Sequence, residues 1–521
     1  SITGQKIERL NNYLDQFFLA VDRQFIVRDD FIVNMFTLKT ENTRGVAGST
    51  SFPSDSATRT DDFELFALSF NKFFKKGSLN ISMNRSDNNQ VYDDSNGSFP
   101  TLSEHELEYS SFKVDGKHSI SPSLNYEASF TEKTERVDSS DLNRRELKTT
   151  SYALSGNYVN IEKDYKLSPS VRFDSREENK KSTFNLGFEA LNQFDNSNSS
   201  FDFNLDVGSS FQFPTMNDLF WPDGLYSGGN PDLKPEESDN ATFGVVITPI
   251  DSLTITVDKW SIEKDNTIGL FGRNNSSVYD LLLRIQQGIG GASNVAEMLA
   301  FCQGKNILNS QFDKYALNGS YVLRDADPSS SYDDDFFNAG ICPAGQQDTI
   351  YEPYQNLALR TVEGTDIAIY YDFETSIGDF SVTLQSSITD KFEQEPSAQF
   401  SAIAAAVADG TLPPYISLEG YGDLKNNENI GTDQKDTLKV NYRRGDWGAS
   451  LSALRVGELF DNGVKSDDGQ VYVIPSMTTA NVSVYKKLTL NGNDARLRLM
   501  IRNNADERAP KSDGFFDFYS E

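Results

Sequence analysis

Apolar and polar side chains alternate one by one along stretch after stretch of this chain, and that period of two leaves few folds open. In 366–374, Ile367, Ile369, Tyr371 and Phe373 share one face, while Asp366, Ala368, Tyr370, Asp372 and Glu374 share the other. Phe380, Val382, Leu384 and Ile388 stand opposite Ser381, Thr383, Gln385 and Thr389. Phe201, Phe203, Leu205 and Val207 alternate with Asp202, Asn204 and Asp206, and Leu497, Leu499 and Ile501 with Arg496, Arg498 and Arg502. Such segments form strands with one apolar and one strongly polar face. A soluble sandwich buries the apolar face in a shared core. A membrane barrel turns it to lipid and lines its lumen with the polar one. Alternation alone is compatible with both.

The connections separate them. Strands are predicted at 13–24, 29–41, 61–74, 77–86, 104–116, 118–133, 143–160, 164–177, 181–191, 200–212, 237–250, 252–270, 355–374, 377–393, 431–445, 447–459, 473–488 and 493–504. Tight turns are expected at Lys75-Lys76-Gly77, Asp115-Gly116, Ile250-Asp251, Gly378 and Gly445-Asp446. Between them fall long connections at 42–60, 87–103, 213–236, 271–354, 394–430 and 460–472, with 192–199 keeping its place among the short ones. Short turns at one end and long loops at the other mark a transmembrane barrel of the outer-membrane type. The fold class is therefore all-β: a transmembrane antiparallel β-barrel with about 18 strands in this chain.

A mean hydropathy of −0.51 is no obstacle. A barrel hides its apolar residues at every second position, so only a helical membrane protein is excluded by the lack of a long apolar run. The net charge of −29 excludes nucleic acid as a partner, since phosphate binding needs basic patches. Two His and two Cys are too few for a zinc cluster. His105 and His118 lie in strand-like polar contexts without a nucleophile motif, so no catalytic constellation is expected. With no visible signal peptide and Ser1 as its first residue, the chain reads as processed or incomplete.

The sharpest motif spans Phe211 to Gly244. Pro214 ends a strand, because a central strand cannot lose its donor there. Pro-Thr-x-Asn-Asp-Leu follows, carrying Asn217 and Asp218. Then comes Gly-Asn-Pro-x-Leu-Lys-Pro-Glu, with Asn230, Pro231, Leu233, Lys234, Pro235 and Glu236, and a polar strand ending in Gly244. This order resembles the signature loop of TonB-dependent outer-membrane receptors. One departure is Gln212, where the family usually has Arg. Arg360-Thr361-Val362-Glu363-Gly364-Thr365-Asp366 and 502–510, RNNADERAP, resemble two further segments of the large Gram-negative receptors of this family.

The resemblance implies a barrel of about 22 strands, of which 1–521 would supply about 18. One returning strand would then follow Glu521, about three would precede Ser1, and a globular plug would precede those. It further implies an integral protein of the Gram-negative outer membrane, surrounded by lipid and lipopolysaccharide. The barrel would import a scarce nutrient (siderophore, metal chelate, cobalamin or oligosaccharide) with energy from the TonB–ExbB–ExbD complex. A passive porin, or a surface adhesin on a barrel scaffold, is the alternative.

Phe220, Trp221 and Tyr226 sit in an expected outer loop, where aromatics stack on sugars or flat chelates, though packing between loops explains them equally. Cys302 and Cys342 share the long loop 271–354, and outside the cell a disulfide is expected. Asp325, Asp327, Asp333, Asp334 and Asp335 offer oxygen ligands of the kind Ca2+ prefers, but match no known loop spacing and read more simply as a solvated acidic run. Residues 401–409 predict a short helix inside loop 394–430, either a lid element or a loop stiffener.

Overall fold

The computed structural model describes most of residues 11–508. Residues 1–10, 47–53, 161–163, 194–198, 222–227, 298–321, 326–345, 417–419, 426–430, 466–470 and 509–521, with a few single positions and pairs, lie outside the description. Eighteen long strands form one antiparallel meander. They are β1 (Leu14–Arg28), β2 (Phe31–Gly45), β3 (Thr58–Phe74), β4 (Gly77–Asp93), β5 (Leu102–Ser121) and β6 (Leu124–Ser139). β7 (Arg145–Asn160), β8 (Tyr165–Arg176), β9 (Asn179–Gln193), β10 (Ser200–Gln212), β11 (Glu236–Ile250) and β12 (Leu253–Asp265) follow. β13 (Arg360–Thr375), β14 (Gly378–Gln394), β15 (Gln434–Arg444), β16 (Trp447–Val456), β17 (Met477–Leu490) and β18 (Asn493–Ile501) complete it. Each pairs with its neighbours in order, so β12 meets β13 across the longest connection. A two-residue strand, Gly422–Asp423, adds to β14.

The register shows why this sheet suits a membrane. Val33, Phe70, Ile81, Val114, Phe130, Tyr152 and Phe173 stand side by side across seven strands. They form one continuous apolar row on one face. Toward the long-loop end the same face turns charged, with Lys39, Glu64, Asp87, Glu108, Arg136 and Glu146 in one cross-strand row. Its members are linked, as in Lys39–Glu64 at 3.0 Å and Arg136–Glu146 at 2.6 Å. Exposed pairs of this kind contribute at most about 1 kcal/mol each. The row therefore marks the upper edge of the apolar band more than it stabilises the sheet. At the short-turn end Phe373 stacks on Tyr371 at 4.7 Å and on Phe380 at 5.1 Å, and Phe380 meets Tyr442 at 5.0 Å. Such amphipathic rings suit a membrane–water boundary.

Leu154 projects from the apolar band between Ala128 and Val171 and is exposed in the isolated chain. Replacing it with arginine should cost about 2–4 kcal/mol of barrel stability in bilayers, as expected for a lipid-facing charge near the midplane. Urea unfolding in lipid vesicles measures this, and an unchanged midpoint would place Leu154 off the lipid face.

Three sequence expectations are corrected. The turn expected at Asp115-Gly116 lies seven residues further on, at Pro122-Ser123, and Asp115 and Gly116 are inside β5. Lys113 holds Asp115 at 2.9 Å, and Pro122, which has no backbone donor to give a ladder, ends the strand. The strand expected at 252–270 stops at Asp265, because Asn266 takes a left-handed backbone with φ 53°. Its partner begins at Arg360 rather than 355. The long connections 213–236 and 271–354 also hold regular structure. They carry helices α1 (Met216–Phe220) and α2 (Arg273–Gln286). The helix expected at 401–409 is present as α3 (Ala398–Ala408).

Candidate ligand-binding mouth

The long-loop end is tied together by the signature loop. Thr215 caps α1: its hydroxyl accepts the Asp218 backbone N–H at 3.2 Å, and Asp218 in turn accepts the Thr215 N–H at 2.7 Å. This reciprocal box satisfies two donors a helix start leaves open. Asn230 then works in three directions. Its backbone N–H bonds the Asp218 carbonyl at 2.7 Å, its side-chain oxygen accepts the Asp232 N–H at 2.9 Å, and its amide donates to the Tyr354 carbonyl at 2.9 Å. Asn356 reaches back, accepting the Lys234 N–H and donating to the Lys234 carbonyl, both at 2.9 Å. Leu233 is buried, and buried Glu236 binds Lys264 at 2.6 Å while accepting the Ile268 N–H at 2.8 Å. The motif is thus a clamp that staples the β10–β11 loop to both feet of the β12–β13 loop. Its residues are committed to that job.

Beside the clamp lies a cavity of about 930 Å³. Phe63, Tyr109, Lys133, Arg172, Phe213 and Asn217 are among the residues lining it. Arg176 anchors its wall. The guanidinium donates to Thr149 at 2.8 Å, to Glu135 at 2.9 Å and to the Pro214 carbonyl at 2.9 Å, and lies 4.9 Å from the centre of the Phe213 ring. This side chain, on β8, ties the signature proline to the lumen wall. Arg172 grips Asp174 through two bonds at 2.7 and 2.8 Å but keeps more than half its surface open to the cavity. Removing Arg176 would strand the buried Pro214 carbonyl and leave Glu135 with Lys133 alone of these two cationic partners. Arg176→Ala should therefore cost about 2–4 kcal/mol, read as earlier protease cleavage in 213–236.

Above the lumen, α2 and α3 pack into a small apolar core of Phe271, Leu281, Leu282, Ile285, Phe400 and Ile403. Phe271 and Phe400 meet edge-on at 4.8 Å. The expected helix in 394–430 is therefore half of a two-helix cap spanning two loops. Asp280 and Arg284 form a fully buried ion pair at 2.9 Å within it. At the end of α3, Thr411 gives its hydroxyl and backbone N–H to Asp409 and holds that carboxyl below the usual range.

The second resembling segment also has a geometric reason. Gly364 lies opposite Trp260, whose indole occupies the space a side chain would need. The indole N–H donates to Asp366 at 3.1 Å, and Ser387 donates to the same carboxylate at 2.5 Å.

Of the aromatic candidates, Phe220 ends α1 with Arg145 5.3 Å from its ring centre, and Trp221 is 45% exposed. Tyr226, Cys302, Cys342, Asp327, Asp333, Asp334 and Asp335 lie outside the described residues, as does the side chain of Asp325. Sequence reasoning missed Arg172, Asp174 and Arg176. Three charges at successive even spacings on one strand face were the available signal.

A one-faced apolar band, a polar lumen wall, short turns below and a clamped, capped set of long loops above define a membrane-spanning β-barrel of the receptor kind. The chain belongs to the family described as TonB dependent receptor-like, beta-barrel, whose profile matches residues 9–503. Among solved structures it is similar to the siderophore receptor PirA from Pseudomonas aeruginosa, with 11% identity and a TM-score of 0.56 over 95% of this chain and 68% of that one. It is also similar to a ferric enterobactin receptor (PfeA) mutant from Pseudomonas aeruginosa, with 9% identity and a TM-score of 0.64 over 95% and 65%. At these identities the likeness is one of fold. A local match to the vitamin B12 transporter BtuB of Photobacterium profundum is 59% identical over 34 residues, 6% of this chain and 5% of that protein. The chain spans about two thirds of the length of the solved receptors it resembles.

Proposed function

We propose that this chain is the barrel of an outer-membrane importer that takes up a scarce nutrient at the expense of TonB-transmitted energy. The carrying observation is the cavity of about 930 Å³ at the long-loop mouth, built on the family's own signature loop and opening above a polar lumen. A wall of this class encloses a hole too wide for side chains to fill, so passage must be gated by something inside it. In this reading the long loops face outward through lipopolysaccharide, and TonB with ExbB and ExbD acts from the opposite side. The ligand is a siderophore, another metal chelate, cobalamin or an oligosaccharide. Arg172 and Lys133 offer it cationic contacts, and Trp221 an exposed aromatic face. Trp221→Ala should weaken binding about 3–10-fold, the scale of one lost aromatic contact.

The test is uptake by cells carrying the full-length receptor, with and without TonB. Ferric siderophores, copper chelates, cobalamin and oligosaccharides would be offered in turn. Accumulation of one of them that disappears without TonB is the expected result. Equal uptake of small solutes in both strains would make the barrel a passive pore and overturn the proposal.

A further inference from the structure

At one level of β2–β5 the usual arrangement of a barrel wall is inverted. The outer face carries the charged row Lys39, Glu64, Asp87 and Glu108. The positions that alternate with this row face the lumen, and they carry Leu38, Phe63, Leu65 and Leu107, with Phe36 below Leu38. Lipid does not account for apolar side chains that point inward where their outward neighbours are charged. The lumen rows on either side are polar. Asn42, Asp61, Gln90 and His105 lie above, and Asn34, Ser69, Ser82 and Lys113 below. The apolar patch is therefore bounded at both edges.

The patch runs into the cavity at the mouth. Phe63 on β3 and Leu107 and Tyr109 on β5 line that cavity, and the shorter Ser86 and Asn88 of β4 lie between them as its floor. From Leu107 to Leu38 the track crosses three strand spacings, about 14 Å. Charge gathers at the other end. Four cations and three carboxylates line the cavity, in a chain whose net charge is −29. The carboxylates are engaged: Glu108 by Arg136 at 3.1 Å, Glu135 by Arg176 at 2.9 Å and Lys133 at 3.3 Å, and Asp174 by Arg172 at 2.7 Å. Arg172, 57% exposed, is the most open of the four cations.

We propose that the ligand of this mouth is an anionic amphiphile. Its oxyanion head meets Arg172 and Lys133, and its apolar tail crosses the β4 floor to lie against Phe63, Leu65 and Leu38. One occupant follows from the continuity of patch and cavity, which share Phe63 and Leu107. Its orientation follows from the cations standing at one end only. A neutral oligosaccharide or a tail-less chelate would leave the apolar side chains facing water, which costs free energy in proportion to their area. The proposal names the ligand class of the importer's own mouth, and so rests on the reading of this chain as an importer.

The experiment is equilibrium binding of radiolabelled straight-chain alkanoates, from butanoate to dodecanoate, to the full-length receptor in lipid nanodiscs, with protein-free discs subtracted. Each added methylene should tighten binding about two- to four-fold, as burial of a CH2 group predicts. A Leu38→Asn, Leu65→Asn receptor should flatten that dependence, and Arg172→Gln should weaken every chain length alike, by about five-fold or more. Dodecanoate with a terminal diazirine maps the tail without any variant. Crosslinks at Phe36, Leu38 or Leu65 are expected. Crosslinks confined to the outward Met35, Phe66 and Phe70 would overturn the proposal, as would affinity independent of chain length, the result if the receptor's own chain covers the patch. TonB-dependent uptake of a tail-less ligand, with no chain-length dependence, would overturn the amphiphile and keep the importer. Chain-length-dependent binding in a receptor whose uptake ignores TonB would overturn the importer and keep the ligand class.

Discussion

Gly364→Val should prevent the barrel from assembling. A Cβ at Gly364 would sit 2.2 Å from Cζ2 of Trp260, 2.5 Å from Cε2 and 2.7 Å from the Ile388 carbonyl oxygen. The ring cannot simply swing aside, because its N–H is bonded to Asp366 and it lies between neighbouring strands. The Ile388 carbonyl belongs to the backbone beside the register shift at Glu363/Gly364, so it cannot yield either. Overpacking of this kind costs about 1–3 kcal/mol when neighbours can adjust and more when they cannot. The expected readout is loss of the heat-modifiable folded band in outer membranes. A double replacement, Gly364→Val with Trp260→Ala, separates steric from backbone causes. Recovery of the folded band would show that the indole is the obstacle, and continued failure would put the fault in the strand itself.

Arg284→Ala should unfold the α2–α3 cap while leaving the barrel intact. Asp280 and Arg284 are 0% and 1% exposed. Breaking a buried ion pair by removing one member costs about 3–5 kcal/mol. A cap whose apolar core is only a few side chains deep cannot absorb that. Hydrogen exchange across 273–286 and 398–408 should rise toward the unprotected limit, with β1–β18 unchanged. Replacing both residues, as in Asp280→Leu with Arg284→Met, should restore most of the protection, because an apolar pair of similar volume carries no desolvation penalty. If the single variant exchanges like the parent, the pair contributes nothing to the cap.

The strands were legible because their signal is local. Ile367 through Phe373 show which face is apolar without reference to any other part of the chain, and tight turns at Gly378 and Gly445 follow from glycine's access to positive φ. The error at Asp115-Gly116 has the same origin. That dipeptide suits a turn in isolation, and only its position within the pairing with β4 and β6 makes it strand. Helix α2 was obscured because Arg273-Asn274-Asn275-Ser276-Ser277 opens it with polar residues, and its apolar stripe of Val278, Leu281, Leu282 and Ile285 has meaning only against α3. The signature loop was recognised correctly as a pattern. What its residues do could not be read from it, since Asn230 acts on Tyr354 and Lys234 on Asn356, more than a hundred positions away. The role of Arg176 was hidden for the same reason: its partners come from β6, β7 and the end of β10.

The charged row above the apolar band bears on where the molecule meets its surroundings. From Arg85 to Asp93 β4 continues past that band, still paired on both sides. These nine residues of strand, tilted as barrel strands are, rise by roughly 20 Å. The mouth is therefore a stiff chimney standing clear of the hydrocarbon. Anything approaching along the membrane plane would meet this paired wall before it met the loops at the rim. A rim carried on paired strands keeps its height above that band whatever its loops do.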